Sequence, residues 1–403
     1  MEKYQIWIFT EICLHVNIYK LVSRLLLISI FYFTGVIAMA FLLNKTLSIN
    51  EFSDLIEEAT RKKDAHIDDI EIKGFEIPVK IIRDITFSNS VWNDVTMTGQ
   101  HHLENIVFEN CVINNSDFTG VNLKNIRFKK CKIHNVIFNK AQFDKIIFEE
   151  SEIDSTDTNI DHSYREMIGG EIYFNNSKIK SINFFHGKMK AYFNNSEMND
   201  IKALGLKEGS LLSIVNTNAF LIDFSRSIFE SLIVKNSTIK ESKANNCRIG
   251  SVILEDSDLD FPIGDGKEYG TVTARNTKNV VIGGTPVKEV MISNCGKSND
   301  VYVAGMVFDK MVIDGCSPSE FLFYKSKGKL MSISNVETAE FDFRHAEVQH
   351  LILKKIHIRS KLLYDNAKVE KLETHNISFG ENIKIKSEGA NIEIKPDIIK
   401  ATQ

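Results

Sequence analysis

Large apolar residues recur every five positions along most of this chain. Stepping by five from Phe108 meets Ile113, Phe118, Leu123, Phe128, Ile133, Phe138, Phe143, Phe148 and Ile153. Two places before each stand Ile106, Cys111, Ser116, Val121, Ile126, Cys131, Val136, Ala141, Ile146 and Ser151, which are small or β-branched. The remaining places are mostly polar. A period of five fits neither a 3.6-residue helix nor a plain alternating strand. A longer period lies on top of it. Phe108, Phe128 and Phe148 recur at twenty, as do Ile113, Ile133 and Ile153, and Cys111 and Cys131. Twenty is four fives. The spacing predicts a coil of four short sides, each coil stacked on the next at the ~4.8 Å strand spacing. Inward residues then form ladders, and backbone groups pair between coils.

The pattern returns through Ile214, Ala219, Phe224, Phe229, Val234, Ile239, Ala244, Ile249, Leu254 and Leu259. It also runs through Ile67–Met97, Phe343–Ile358 and Tyr364–Phe379. Single-residue slips separate some stretches. Residues 65–390 are therefore expected to form some sixteen coils, a rod of roughly 75 Å at ~4.8 Å per coil.

These fives resemble the pentapeptide-repeat family. Ser116-Asp117-Phe118-Thr119-Gly120 fits its pattern of small residue, Asp or Asn, Leu or Phe, then two polar residues. Val121-Asn122-Leu123-Lys124-Asn125 and Ser257-Asp258-Leu259 fit as well, while Arg127, Lys132, Ile137 and Glu152 depart at the second place. The resemblance covers about four fifths of the chain. It implies an all-β fold, a right-handed quadrilateral β-helix, and is nearly silent on chemistry.

Ahead of the repeats, Leu25–Leu43 run uncharged for nineteen residues. That is close to the ~30 Å span of a transmembrane helix. Ala38-Met39-Ala40 resembles a signal-peptidase site, but Phe41, Leu42 and Leu43 continue the apolar run and favour an uncleaved anchor. Lys20 and Arg24 point to a cytoplasmic N-terminus, with the β-helix exported to the periplasmic or extracellular side; Arg61, Lys62 and Lys63 weigh against this orientation. Residues 1–24 include an apolar, aromatic stretch at 4–19 that suits an interfacial helix. Residues 48–64 are expected to form a capping helix, with Ser48 and Glu51 as a capping box and the basic triplet in its last turn. Residues 391–403 are read as a tail.

Formal net charge is −4 over 403 residues, which argues against a nucleic-acid binder. It also argues against a duplex mimic that inhibits a topoisomerase, an activity known in the family and one wanting a strongly acidic surface. Seven basic residues cluster at Lys124–Lys145, but Glu109, Lys129 and Glu149 fall in one ladder, so pairing between coils accounts for them. The six cysteines form no CxxC pair and have no metal-ligand spacing with histidine. Cys111 with Cys131, and Cys295 with Cys316, should stack on adjacent coils as buried thiols. No Walker loop, GxSxG, HExxH, EF-hand loop or dinucleotide glycine motif occurs. Neither an enzymatic activity nor a cofactor or metal is expected.

The repeat breaks at residues 155–170 and 260–270, and more weakly at 296–301 and 317–330. In a regular rod, partner contacts tend to sit where the chain leaves the wall. The candidate contact residues are Asp157, Asp161, His162, Tyr164, Arg165, Asp265, Lys267 and Tyr269. The leading functional expectation is a membrane-anchored scaffold that presents a rod to a protein partner; a secreted or host-directed effector is the alternative. The sides and ends of such a rod could also join two copies into a homodimer.

Overall fold

A computed structural model describes residues 45–62, 64–154, 166–259, 268–277, 280–284, 286–296 and 300–396. Within them the chain winds into a right-handed β-solenoid of about 15 turns, with one short helix. The coil at 102–121 shows the plan. His102–Glu109 supplies sides one and two, centred on Leu103 and Phe108. Val112–Asn114 supplies side three around Ile113, and Asp117 bridges to Ile137 on side four beside Phe118. All four centres are buried. Neighbouring strands run parallel and in register, so Phe87, Phe108, Phe128, Phe148, Phe174 and Phe193 stand over one another. Centroids of Phe108 and Phe128 lie 5.0 Å apart, and those of Phe128 and Phe148 4.9 Å apart, with ring planes within 8°. The predicted aromatic ladder is present.

The corners explain the abundance of Asn and Asp at the fifth place. Positive φ occurs at Asn105, Asn110, Asn115 and Gly120, then at Asn125, Lys130, Asn135 and Lys140: four left-handed corners per coil. Asn, Asp and Gly take this conformation at the least steric cost. At Gly120 a Cβ would also stand 3.3 Å from the Gly99 backbone beneath it. Past residue 145 the corner between sides one and two loses its positive φ, leaving three, as at Asn176, Ser181 and His186. From residue 325 only two per coil remain, as at Lys325 and Asn335. Strands lengthen accordingly, up to Glu347–Leu363.

A buried polar column runs along side three through Ser90, Cys111, Cys131, Ser151, Ser177, Ser196, Thr217, Ser237, Ser257, Thr277, Cys295 and Cys316. Each side chain donates to a carbonyl two residues back, as Ser151 Oγ does to Glu149 O at 2.9 Å. Through most of the column it also accepts an amide from the previous coil: Cys131 N donates to Ser151 Oγ at 3.1 Å, and Cys295 N to Cys316 Sγ at 3.4 Å. The small places seen in the sequence are thus hydrogen-bonding places on this side. The five described cysteines are free and buried. Burial pushes the Cys247 thiol up to about 11. Cys111 and burial together hold Cys131 well above its ordinary value.

The helix Ile49–Thr60 covers the first coil with Phe52, Ile56 and Ala59 buried, and the Ser48–Glu51 capping box forms. It ends sooner than the span 48–64 suggested. Arg61 is its C-cap, and no basic residue lies in its last turn. Arg61 and Lys62 instead pair back to Glu57 (3.7 Å) and Glu58 (2.6 Å). At the far end, residues 391–396 are part of the fold rather than a free tail. Asn391 Oδ1 accepts the Val369 amide at 2.9 Å, and Ile394 is buried. The weak break at 317–330 proves to be coil wall, with the strand Glu320–Leu322 and buried Phe321 and Phe323. The segment 1–24 and the membrane helix expected at 25–43 lie outside the described residues. Among those described, no helix is long and apolar enough to cross a membrane.

Candidate interaction surfaces

The outer face of side three carries a groove of about 790 Å³. Its walls come from Glu152–Asp154, Lys178–Phe185, Glu197–Leu204, Asn218–Asp223 and Thr238–Lys243, five neighbouring strands of an eleven-stranded parallel sheet. Side chains alternate in and out along each strand. Two outward columns result: Glu152, Lys178, Glu197, Asn218 and Thr238, and beside them Asp154, Lys180, Asn199, Phe220 and Lys240. Where the neighbouring coils carry Met198 and Ile239 inside, this coil carries the smaller Ala219, and the large side chain, Phe220, points outward, 44% exposed. Lys180 pairs with Asp154 at 3.7 Å, and Asp154 Oδ1 has no hydrogen-bond partner among the described residues. Carboxylates and ammonium groups alternate along the floor, and the lining holds neither histidine nor cysteine. Among the described residues no group of three His, Cys, Asp or Glu side chains could hold a metal ion. Around the next corner a recess of about 700 Å³ is lined by Phe185, His186, Leu204, Asp223, Arg226 and Lys243.

Both main breaks of the repeat open from this sheet. The first follows the strand Glu152–Asp154 and the second follows Asp258–Leu259, with the groove strands between them. Asp157, Asp161, His162, Tyr164, Arg165, Asp265 and Lys267 lie outside the described residues. Tyr269 is corrected by the structure. It is a core residue of the strand Glu268–Arg275, stacked between Ile249 and Val287 and fully buried. Tyr269 falls twenty residues after Ile249, so the register carries on across the glycine-rich stretch. Phe220 escaped the sequence reading. Its signal was present, a Phe immediately after the central place held by Ala219.

Side two has a different outer face, the column Val107, Arg127, Ile147, Tyr173, Tyr192, Ser213, Ile233, Ile253 and Thr273. Tyr173 and Tyr192 stack at 4.7 Å, and Lys145 Nζ lies 5.3 Å from the Tyr173 ring centroid. The Tyr173 hydroxyl donates to Glu171 at 2.7 Å, and this carboxylate raises the phenol to about 12. The basic cluster at 124–145 is largely paired between coils: Lys124 with Glu104, Lys129 with Glu109 at 2.8 Å, Arg127 with Glu149 at 3.5 Å, and Lys130 with Glu150 at 3.8 Å.

The sequence model for pentapeptide repeats matches residues 111–149 in eight copies. Those residues form the coils with four left-handed corners and stacked phenylalanines described above. This stretch of the chain carries pentapeptide repeats. The matched segment is shorter than the four fifths of the chain that the periodicity covers. Beyond it, outward places depart from the repeat pattern and coil length varies: Phe174 pairs with Phe193 nineteen residues on, and Phe193 with Ile214 twenty-one on. No curated protein matches. Among solved structures, the chain is similar to the fluoroquinolone-resistance protein QnrB1 (15% identity, TM-score 0.19, 49% of this chain and 92% of that one). It is similar also to HetL, a pentapeptide-repeat protein from a Nostoc cyanobacterium (10% identity, TM-score 0.13, 82% and 95%). The alginate lyase AlyF-OU02 overlays at 10% identity and TM-score 0.27 over 76% of this chain and 84% of that one. Overlays this loose carry no inference about activity.

Proposed function

We propose that this chain is a non-enzymatic scaffold, tethered to a membrane through residues 25–43, whose rod docks an extended segment of a partner protein in the side-three groove. One observation carries the docking reading: Phe220 stands 44% exposed in the groove between Asn199 and Lys240, with charges of both signs, Glu152, Asp154, Lys178, Lys180 and Glu197, on the coils to one side. An aromatic anchor with charges of both signs to one side suits a peptide with one apolar residue and a charged flank. The tether rests on the uncharged run Leu25–Leu43. Charges of both signs pair along the rod, so its surface is not the uniformly acidic one a duplex mimic would use. The test places a photo-crosslinking amino acid at position 220, and as a control at Thr98 on side four, in the full chain in its own cells. A single protein captured at 220 and not at 98 is the expected result. The same adducts at both positions, or none at 220, would overturn the docking reading. Recovery of the full chain in the soluble fraction would overturn the tether.

A further inference from the structure

We infer that the outer face of side two joins two copies of this chain, antiparallel and face to face, about a two-fold axis passing through Asn194. The argument begins with one outward column, in which adjacent residues pair coil to coil: Glu109, Lys129, Glu149, Asn175, Asn194, Val215, Lys235, Glu255 and Arg275. Rotating a second copy about an axis across the rod at Asn194 reverses the column against itself. Glu149 then meets Lys235, Lys129 meets Glu255, and Glu109 meets Arg275. All six charges in the column find opposite charges, and the uncharged middle lies over itself. A two-fold interface must be complementary to its own reversal in this way.

The adjoining column is matched at its centre, while further out Arg127 meets Ile253. Tyr192 lies on the axis over its own copy, and Ile147 meets Ile233. The centre of the patch is thus aromatic and aliphatic and its border charged, the usual anatomy of a specific interface. On the other border Lys190 faces its own copy, Glu171 meets Leu211 and Lys145 meets Ser231, so the charge matching is confined to the first column. Outside the matched stretch Ser88 would face Ser293, and one step further Asp68 would face Asp314, so the complementarity ends there. From Glu109 to Arg275 there are eight inter-coil steps, ~38 Å at ~4.8 Å each, over strands about 15 Å across. That gives about 600 Å² per copy and about 1,200 Å² in all, enough for a specific dimer.

The test uses the full chain in detergent, in a Cys13→Ser background. With Asn194→Cys, a short bis-maleimide should link two copies; Asn114→Cys, on side three, is the control. Glu149→Lys and Lys235→Glu should each weaken self-association about tenfold in sedimentation, and the double reversal should restore it. Circular dichroism of each variant confirms that the rod is intact. A monomer at every concentration, linking at 194 no faster than at 114, or a double reversal no tighter than the single ones would each overturn the inference. Linking at the rod ends alone would do so too.

Discussion

Replacing Ser196 by alanine removes one rung of the buried column and leaves the aromatic ladder untouched. Ser196 is buried, and its Oγ accepts the Ser177 amide at 3.2 Å while donating towards Asn194 O (3.0 Å) and Phe174 O (3.1 Å). The two carbonyls are not equally at risk. Asn194 O also accepts the Asn176 amide at 2.9 Å, within the backbone ladder. The Ser177 amide is the group left bare. A buried donor without an acceptor costs about 1–3 kcal/mol. The cost is local, because each coil of a solenoid contacts only its neighbours. Hydrogen exchange of the Ser177 amide is therefore the direct assay, and it should quicken roughly 5- to 150-fold, since 1.36 kcal/mol is a factor of ten. Ser196→Cys and Ser196→Thr should behave nearly as the parent, because Cys295 Sγ and Thr217 Oγ1 already accept the amide of the preceding coil at equivalent rungs. Unchanged exchange in Ser196→Ala, or Ser196→Cys as damaging as Ser196→Ala, would refute the claim that these places are held by hydrogen bonding rather than by size.

Three further outcomes follow from the fold. Phe128→Ala, in the middle of the ring stack, should cost about 3–5 kcal/mol in denaturant unfolding, and a loss below 1 would show that the ladder is not a packed core. Lys130→Asn should stabilise by about 1 kcal/mol, because Lys130 has φ 54 where Asn110 stands one coil below; a lower melting temperature contradicts the corner argument. Glu51 is held down at about 2, against 4.5 for the free group, chiefly by the Ser48 amide, then by the Ser48 hydroxyl and Lys45. Because the folded value is the lower one, its contribution is complete above about pH 4.5 and fades as pH falls towards 2. Melting temperature followed from pH 6 to 2 should show a smaller acid slope in Glu51→Gln, and an identical slope would remove Glu51 as the cause.

Phe108, Phe128 and Phe148 could be stacked by counting, because a five-residue side and a twenty-residue coil leave inward places no freedom. The same counting put Glu109, Lys129 and Glu149 in one ladder, as the structure has them. Counting twenty on from Ile249 also reaches Tyr269, but the glycine-rich stretch between them masks that the wall continues. It failed at the far end, where Ile394 is covered on the five-residue step from Phe379 although Lys384 and Gly389 interrupt the apolar series.

The sequence alone determined the coil, the inward residues and the ladders, since hydrophobic burial at a strict period admits one winding. It left the outer faces open. That Phe220 borders a groove, that both breaks leave the same sheet, and that Glu149 and Lys235 lie at equal distances from Asn194 depend on how far successive coils slip and on which corners keep a positive φ. Those are set by packing between coils, and only the tertiary structure decides them.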